Sequence, residues 1–288
     1  MKLSQDWQDY ECLDAGGGEK LERFGSYIFR RPDPQAIWNV ENYDAWENID
    51  GFYHRSSEGG GHWEFKKKLP EFWEVNYKHL TFKVSPTNFK HTGIFPEQAT
   101  NWDFIMDKIK NSGREIKVLN LFAYTGCASM AAASMGAKVV QVDASRGMTD
   151  WAKENMKLSH LENEEIHFIV DDCVKFVERE IRRGNKYDAI IMDPPSYGRG
   201  PNKEVWKFEK NIYYLIDLCM QILSNQPLFF LINSYTTGIS STVLENILKT
   251  TILKKYPNGS VSAGEVGLPI TRDNLVLPCG IYGRWEEN

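Results

Sequence analysis

From residue 117 onward, the sequence alternates between short apolar runs and longer segments with helical periodicity, and few folds accommodate this pattern. Strands that alternate with helices form βαβ units around a parallel sheet with helices on both faces. The predicted strands are Val118–Phe122, Val139–Val142, Ile166–Val170, Tyr187–Met192 and Leu228–Ile232, and the predicted helices are Ala128–Met135, Met148–Leu158, Val174–Arg183, Val205–Leu223 and Val243–Leu253. The sequence therefore predicts an α/β fold with a Rossmann-like, mostly parallel sheet.

The two ends of the chain have a different character. Near the C-terminus, Ser260–Val266 and Leu277–Trp285 are extended segments without a helix between them, which favours an antiparallel edge of the sheet. Before residue 115, short extended runs are separated by turns such as Gly16–Gly18. The predicted divisions are a small β-rich domain at residues 1–85, a bridging segment and helix at 86–115, and the main domain at 116–288.

The composition disfavours several classes of protein. The net charge of −5 is not that of a strongly basic nucleic-acid binder, and the one dense basic run, Lys66–Lys68, reads more readily as a solvated segment than as a phosphate site. Five cysteines lie far apart without a CxxC pair, which argues against a zinc site and a disulfide framework. No apolar run approaches the ~20 residues that cross a bilayer. We expect a cytoplasmic protein without a metal or a membrane segment.

The loop after the first predicted strand is the first candidate for ligand binding, because open α/β sheets bind ligands outside the carboxyl ends of their strands. This loop has a single glycine, Gly126, and lacks the GxGxxG spacing that a dinucleotide pyrophosphate requires. A cofactor without phosphate, such as S-adenosylmethionine, needs only a tight turn and a helix N-terminus for its carboxylate. An ordinary strand-to-helix turn is the alternative.

Acidic residues follow the second and third predicted strands. Asp143 lies 17 residues after Gly126 (143 − 126) and is predicted to accept both ribose hydroxyls, although it is also a candidate helix N-cap. Ser145 is better placed as that cap. Of the pair Asp171 and Asp172, we favour Asp172 as the acceptor for the adenine amine; the alternative is that both are caps.

The sequence Asp-Pro-Pro-Ser-Tyr at 193–197 follows the fourth predicted strand and is the strongest single signal. Two consecutive prolines make a stiff loop, which can hold a carboxylate and a carbonyl beside a transferring methyl group. An aromatic ring at the end of this loop can stack on a planar acceptor. A rigid turn without function is the alternative. The predicted catalytic residues are Asp193, Pro194, Pro195 and Tyr197.

These motifs, together with the sequence His-Thr-Gly-Ile-Phe-Pro-Glu-Gln at 91–98, resemble the bacterial class I S-adenosylmethionine-dependent methyltransferases related to the large-subunit ribosomal RNA methyltransferases. The resemblance covers most of the chain from about Tyr10, and is to members without the PUA module. It implies S-adenosylmethionine as cofactor and a role in rRNA methylation. The predicted cofactor-binding residues are Phe95, Gln98, Asn120, Phe122, Ala123, Tyr124, Thr125, Gly126, Asp143, Ala144, Ser145, Asp171, Asp172 and Asp193.

The chain departs from the cytosine-C5 members of this group, which use a cysteine just after the fifth strand. Here residues 233–238 read Asn-Ser-Tyr-Thr-Thr-Gly, and Ser196 stands near the cysteine position that other cytosine-C5 enzymes use. A C5 mechanism therefore does not carry over, because it needs a soft nucleophile. We expect RNA as partner, with Lys66–Lys68, Trp63 and Trp73 in contact with it. A small-molecule or protein methyltransferase is the second hypothesis, and a cofactor-binding protein without catalysis the third. We expect a monomer or homodimer.

Overall fold

The computed structural model describes residues 1–41, 43–56, 60–199 and 204–288, and these residues form two compact units. The large unit comprises Met1, Asn101–Glu265 and Gly280–Asn288. The small unit comprises Lys2–Thr100 and Val266–Cys279. A segment near the C-terminus thus groups with the N-terminal part of the chain. The linear domain boundaries predicted at residues 85 and 115 stay a prediction.

The strands of the described residues are labelled in chain order. They are β1 (Lys2–Leu3), β2 (Tyr10–Gly16), β3 (Glu19–Phe24), β4 (Tyr27–Pro32), β5 (Gly51–Arg55), β6 (Gly61–Phe65), β7 (Trp73–Tyr77), β8 (Leu80–Val84), β9 (Lys117–Leu121), β10 (Lys138–Asp143), β11 (Ile166–Val170), β12 (Ala189–Met192), β13 (Tyr197–Arg199), β14 (Val205–Lys207), β15 (Phe229–Ser234), β16 (Gly259–Pro269) and β17 (Val276–Glu287).

The α-helices of the described residues are α1 (Ala99–Asn111), α2 (Cys127–Ala133), α3 (Arg146–Leu158), α4 (Cys173–Arg183), α5 (Phe208–Met220), α6 (Ser241–Thr250) and α7 (Ile252–Lys255), with short 3₁₀ helices at Asp44–Trp46 and Pro96–Gln98. Within the part of the chain that is described, none of these helices has the length and apolar character needed to span a bilayer.

The sheet of the large unit places its strands in the order β16-β17-β15-β12-β9-β10-β11. Neighbouring strands from β15 to β11 run parallel, and β17 pairs antiparallel with β15. The predicted mostly parallel sheet with an antiparallel C-terminal edge is confirmed. Strand β12 shows why the sequence pattern was informative: its four residues are all apolar and all buried, as expected for a central strand covered on both faces. The carboxyl ends of β9, β10, β11 and β12 therefore lie along one edge.

Two predicted helices differ from those in the structure. The helix predicted from Val205 begins at Phe208, because Val205–Lys207 forms strand β14, which pairs antiparallel with β13. In β14 the buried Trp206 lies between two exposed residues, which is strand periodicity. The helix predicted at 243–253 is divided into α6 and α7 at Thr251, whose φ of −113° and ψ of −86° are not helical.

The small unit is β-rich, as predicted for the front of the chain. Strands β2 to β6 form one sheet in sequential order, and β7 and β8 form a separate hairpin. The connection between β2 and β3 is the turn at Gly16–Gly18, where all three glycines have positive φ values of 157°, 60° and 83°. Strand β1 pairs with the Val266–Gly267 part of β16, within the same unit.

Candidate cofactor and active site

The loop after β9 has an unusual backbone. Phe122 and Tyr124 have φ values of 54° and 53°, in the left-handed region that residues other than glycine rarely adopt, and Gly126 follows with 79°. Hydrogen bonds hold this conformation: the Phe122 N–H donates to Cys173 Sγ at 3.3 Å, and the Ala123 N–H donates to the Val142 carbonyl at 3.1 Å. Strained backbone that its surroundings hold in place is characteristic of ligand-binding loops.

Gly126 has no room for a side chain. A Cβ at this position would lie 2.5 Å from Gln141 Oε1 and 2.9 Å from the Cβ of Ala152. The close approach lets the chain turn at once into α2, for which Gly126 is the N-terminal boundary. The glycine is therefore required by packing and by the positive φ. Reception of the cofactor carboxylate at this turn stays a prediction.

Asp143 connects the ends of β9 and β10. Its Oδ2 accepts a hydrogen bond from the Tyr124 N–H and its Oδ1 accepts one from the Ser145 N–H, both at 2.8 Å. Burial raises the pKa of Asp143, and these two hydrogen bonds oppose the rise. Ser145 caps α3, because its side chain accepts from the Met148 N–H at 3.3 Å. The alternative role of Asp143 as this cap is wrong, which leaves its fixed carboxylate for another purpose.

Asp171 and Asp172, after β11, have local partners. Asp172 is the N-cap of α4, where its Oδ1 accepts from the Lys175 N–H at 3.0 Å. Asp171 forms an ion pair with Arg179 and accepts the Asp172 N–H at 2.8 Å. The capping alternative is thus confirmed for Asp172. A second role of either carboxylate as the adenine acceptor stays a prediction.

The loop after β12 is held from two sides. The Trp206 indole N–H donates to the Pro195 carbonyl at 2.7 Å, and the Phe208 N–H donates to the Ser196 carbonyl at 3.0 Å. On the other side, the hydroxyls of Ser196 and Thr236 are 2.9 Å apart, which ties this loop to the segment after β15. Hydrogen bonds therefore fix the Pro195 and Ser196 carbonyls, in addition to the stiffness that the prolines give the loop.

An aromatic contact joins this loop to the loop after β9. The Trp206 and Phe122 rings have centroids 4.9 Å apart and are tilted by 54°. Tyr197 opens the β13–β14 hairpin and is 53% exposed, so its ring is free to stack on an incoming group. Sequence reasoning missed Trp206 and Thr236. Trp206 lies in a segment that the sequence predicted to be helix, so its place in a strand was not recognised. No sequence motif pointed to Thr236 as a contact of this loop.

The other predicted cofactor residues are polar residues with internal hydrogen bonds, two alanines at the sheet edge, and two residues of the small unit. Asn120 is 3% exposed and donates from Nδ2 to Ser129 Oγ at 2.9 Å, while the Thr125 carbonyl accepts from Asn155 Nδ2 at 2.8 Å. These contacts tie the glycine loop to α2 and α3. Ala123 and Ala144 contribute backbone at the same sheet edge. Phe95 and Gln98 belong to the small unit, where the Gln98 N–H donates to the Phe95 carbonyl at 3.0 Å.

The cysteines of the chain are thiols that stay protonated at neutral pH. Burial raises the pKa of Cys127 to about 12, and it raises the pKa values of Cys12, Cys173, Cys219 and Cys279 as well. All five are free thiols. Among the described residues, no group of three or more His, Cys, Asp or Glu side chains is arranged to hold a metal ion.

The residues at this edge fit S-adenosylmethionine. Asp143 presents a half-buried acceptor-only carboxylate, which suits a ribose diol. Phe122 and Tyr124 belong to the loop whose Tyr124 N–H binds this carboxylate, and aromatic rings suit adenine and a sulfonium cation. Asp193 lies at the end of β12, two strands from Asp143 along the sheet.

Comparisons with known proteins agree with this chemistry. A family model described as S-adenosylmethionine-dependent methyltransferase matches residues 51–246, which is more than half of the chain. A crystal structure of the SAM-dependent methyltransferase from Agrobacterium tumefaciens superimposes with a TM-score of 0.95 at 36% identity, and covers 100% of this chain and 93% of that one.

Two curated relatives carry ribosomal RNA methyltransferase names. The ribosomal RNA large subunit methyltransferase K/L of Pseudoalteromonas atlantica is 36% identical over 148 residues, which is 51% of this chain but only 20% of that protein. The ribosomal RNA large subunit methyltransferase K of Neisseria meningitidis is 24% identical over 238 residues, covering 79% of this chain and 65% of that protein. On the family match and the Agrobacterium structure, the chain belongs to the S-adenosylmethionine-dependent methyltransferase family.

Proposed function

We propose that this methyltransferase acts on RNA and transfers the methyl group to a nucleobase nitrogen, without a cysteine nucleophile. The observation that carries the proposal is the similarity to relatives named for ribosomal RNA, together with the Asp-Pro-Pro-Ser-Tyr loop at the end of β12. The chain spans one fifth of the K/L relative and about two thirds of the K relative, so the substrate is inferred for the matching part alone.

The loop supplies the means to position a nitrogen acceptor. The bound cofactor supplies an electrophilic methyl group on a sulfonium. The Asp193 carboxylate and the Pro194 carbonyl accept hydrogen bonds from an exocyclic amine, which directs the nitrogen lone pair along the line of transfer. Asp193 also accepts a proton if the acceptor must lose one. Tyr197 stacks on the base, which must be extruded from any paired region to reach the loop.

The described thiols support a mechanism without covalent attachment to the base. Attack at C6 of a pyrimidine needs a thiolate at the active-site loops. The loops after β12 and β15 carry Ser196 and Thr236 instead, and the raised pKa values of Cys127 and Cys173 keep these thiols protonated.

The small unit offers exposed aromatic rings for contact with RNA in addition to the residues expected from the sequence, whose contact with RNA stays a prediction. The Trp63 and Trp73 indoles donate to backbone carbonyls and pack against other rings, and both side chains are half-buried. Lys66 and Lys67 pair with Glu64 and Asp50. Exposed rings of this unit include those of Phe65, Phe72 and Phe89, at 45%, 41% and 63%. Stacking on such rings is tolerant of sequence.

Labelled methyl transfer tests this proposal. The protein is incubated with radiolabelled S-adenosylmethionine and, separately, with RNA, protein and metabolite fractions from cells that lack this gene. Label in the RNA fraction, absent with the Asp193→Asn variant, is the expected result. Label confined to metabolites or proteins would contradict it and favour the second hypothesis, and tight cofactor binding without transfer to any fraction would favour the third.

Location and assembly are part of the same proposal. A ribosomal RNA substrate is consistent with a cytoplasmic enzyme, and we expect a monomer or homodimer. Light scattering on the eluting protein, with and without RNA, measures the assembly. A higher oligomer would contradict this expectation.

A further inference from the structure

The β13–β14 hairpin continues directly from the Asp-Pro-Pro-Ser-Tyr loop, because β13 begins at Tyr197. Trp206 is the buried residue of β14 and lies between two exposed neighbours. Opposite Trp206 in the register is Gly198, where a Cβ would lie only 3.3 Å from Cγ of Pro195. The hairpin therefore folds back closely on the loop that it extends.

Two consecutive prolines limit how this loop can be held. Neither Pro194 nor Pro195 has a backbone N–H, so a backbone hydrogen bond can reach these two residues only at their carbonyls. An indole N–H only donates, which makes it a suitable partner for a carbonyl. The Trp206 indole N–H donates to the Pro195 carbonyl at 2.7 Å. This bond fixes the middle of the motif, between Asp193, which we propose holds the acceptor, and Tyr197.

The same side chain contacts the loop on the cofactor side, residues 122–126. The Trp206 ring packs against the Phe122 ring with centroids 4.9 Å apart, and Phe122 has a positive φ of 54°. The preceding strands, β9 and β12, are neighbours whose paired residues end at Leu121 and Met192. Both loops extend beyond these paired residues, and Trp206 bridges them there.

Methyl transfer makes this bridge important. The reaction is an in-line displacement in which the reacting atoms must lie about 3–3.5 Å apart, and a misplacement of about 1 Å can lower the rate about 100-fold. We propose that Trp206 is a positioning residue, which holds the Asp-Pro-Pro-Ser-Tyr loop at a fixed distance from the cofactor loop. This inference deepens the proposed function and rests on it, since it takes Asp193 as the residue that holds the acceptor.

The two contacts of Trp206 have separable effects. Trp206→Phe keeps an aromatic ring for contact with Phe122 and removes the N–H, so kcat should fall about 10- to 100-fold. The Kd for S-adenosylhomocysteine should stay within about twofold, because the contact on the cofactor side is an aromatic one. Trp206→Leu removes both contacts and should also weaken S-adenosylhomocysteine binding about 2- to 10-fold, the value of an aromatic pair.

The experiment measures label transfer from saturating radiolabelled S-adenosylmethionine to whichever RNA, protein or metabolite fraction accepts it from the wild type. Each rate is divided by the concentration of enzyme that binds S-adenosylhomocysteine, counted by calorimetry, so that unfolded protein does not lower the measured kcat. A further variant carries benzothienylalanine in place of Trp206, which preserves the size of the ring but has a sulfur where the indole has its N–H. Its kcat should be as low as that of Trp206→Phe.

Trp38→Phe is the matched control. The Trp38 indole N–H donates to the Ala15 carbonyl at 2.7 Å in the small unit, so this substitution removes a hydrogen bond of the same kind and length. The thermal midpoint should fall in both variants, but kcat should fall only in Trp206→Phe. An equal loss of kcat in Trp38→Phe would overturn the proposal, because the loss of any such bond would then slow the enzyme.

The outcomes separate this role from the proposed function. If RNA accepts label and the Trp206→Phe and benzothienylalanine variants keep the wild-type kcat, the proposed function stands and the positioning role is wrong. If proteins or metabolites accept label instead and the same variants slow that transfer, the positioning role stands and RNA as acceptor is wrong. Equal fold-losses of kcat and of S-adenosylhomocysteine affinity in Trp206→Phe would show that Trp206 only supports the cofactor loop, which overturns the proposal. Transfer to no fraction overturns both.

Discussion

Strands β12 and β3 show how differently the two units use charge. In β12 four consecutive apolar residues are buried, and the first charged residue, Asp193, comes directly after the strand ends. In β3 four of six residues are charged, and Glu22 is fully buried in the middle of the strand. At β12 the charge thus lies at the sheet edge, where a ligand can meet it. At β3 the charge lies inside, where it must find partners within the protein.

The comparison teaches that charge at a strand end and charge inside a strand have different meanings. A carboxylate at a strand end lies where a bound ligand can reach it, even where backbone N–H groups or a cation also contact it, as at Asp143 and Asp171. A carboxylate within a buried strand is stable only if cations and hydrogen-bond donors surround it. Removing the charge after β12 should therefore affect catalysis or binding, and removing the buried charge in β3 should affect stability.

The largest expected effect is on catalysis. Asp193→Asn should lower the rate of methyl transfer about 10³-fold, because the amide holds the amine less well and accepts no proton. The affinity for S-adenosylhomocysteine, measured by calorimetry, should change much less. Asp217→Asn, on the exposed face of α5, is the control and should keep full activity. If Asp193→Asn transfers methyl groups at the wild-type rate, the charge after β12 has no catalytic role and the contrast drawn between β12 and β3 is wrong.

The next effect is on stability. Glu22→Gln should lower the free energy of unfolding by about 3 kcal/mol, because it leaves the Arg31 side chain, only 5% exposed, without its carboxylate. Glu11→Gln breaks the pair with Arg23, in which both side chains are 30% exposed, and should cost less than about 1 kcal/mol. Denaturant unfolding measures both. Equal losses would mean that burial does not decide the strength of these pairs.

The pH dependence of this stability follows from Glu22. Burial alone would raise its pKa, but Arg31, Lys20 and the Tyr10 hydroxyl lower it below the ordinary glutamate value. A lowered pKa in the folded state contributes stability above the unfolded-state pKa, which is lost as the pH falls through the lowered value. The difference between wild type and Glu22→Gln should thus be largest near neutral pH and shrink in acid.

A smaller effect is expected at the cofactor. Asp143→Asn should weaken S-adenosylhomocysteine binding about 10- to 30-fold, the loss of charge-assisted hydrogen bonds to the ribose. Asp150→Asn, on the exposed side of α3 beside Lys153, should change nothing. Because burial raises the pKa of Asp143, wild-type affinity should fall with decreasing pH from above the usual aspartate range. Because the pKa is raised in the folded state, protonation of Asp143 stabilises the unliganded fold relative to the unfolded chain. The free energy of unfolding should therefore not fall together with the cofactor affinity. A pH-independent affinity would contradict the ribose role.

The smallest expected effect separates structure from function within the large unit. Ser145→Ala removes the N-cap of α3 and should cost about 1 kcal/mol of unfolding free energy. Cofactor affinity, measured in the same buffer, should stay within twofold of wild type if Ser145 contributes only the cap. A loss comparable with that of Asp143→Asn would make Ser145 a binding residue.

Much of the large unit was predictable because its local and tertiary patterns agree. Apolar runs predict the parallel strands, and the motifs after β9, β10 and β12 predict one ligand-binding edge of the sheet from the sequence alone. The misreadings occurred where a local pattern was ambiguous. The three residues Val205–Lys207 are too few to show strand periodicity clearly, so the sequence predicted them as the start of a helix. In the structure they pair with Tyr197–Arg199 and form a strand.

The contacts of the site were beyond sequence reasoning. Nothing in the sequence indicates that Trp206 holds the Pro195 carbonyl, that Asp171 pairs with Arg179, or that Phe122 and Tyr124 adopt positive φ. The same is true of the exposed rings in the small unit. Sequence reasoning chose Trp63 and Trp73 for stacking and gave no sign that the phenylalanine rings of the same unit are exposed.

By itself, the sequence determined the βαβ order, the glycine turn and the acids that follow the strands. The spacing of apolar side chains and the positions of turn-forming residues are local properties, so they can be recognised without knowing which distant residues are in contact. Only the tertiary structure decided which charges are paired. Lys20, Glu22, Arg31, Asp33 and Lys90 are spread over 71 residues (20 to 90), and their meaning depends on strand register and on how deeply each is buried. Electrostatic energy depends on distance and on exposure to water, and both are set by the fold.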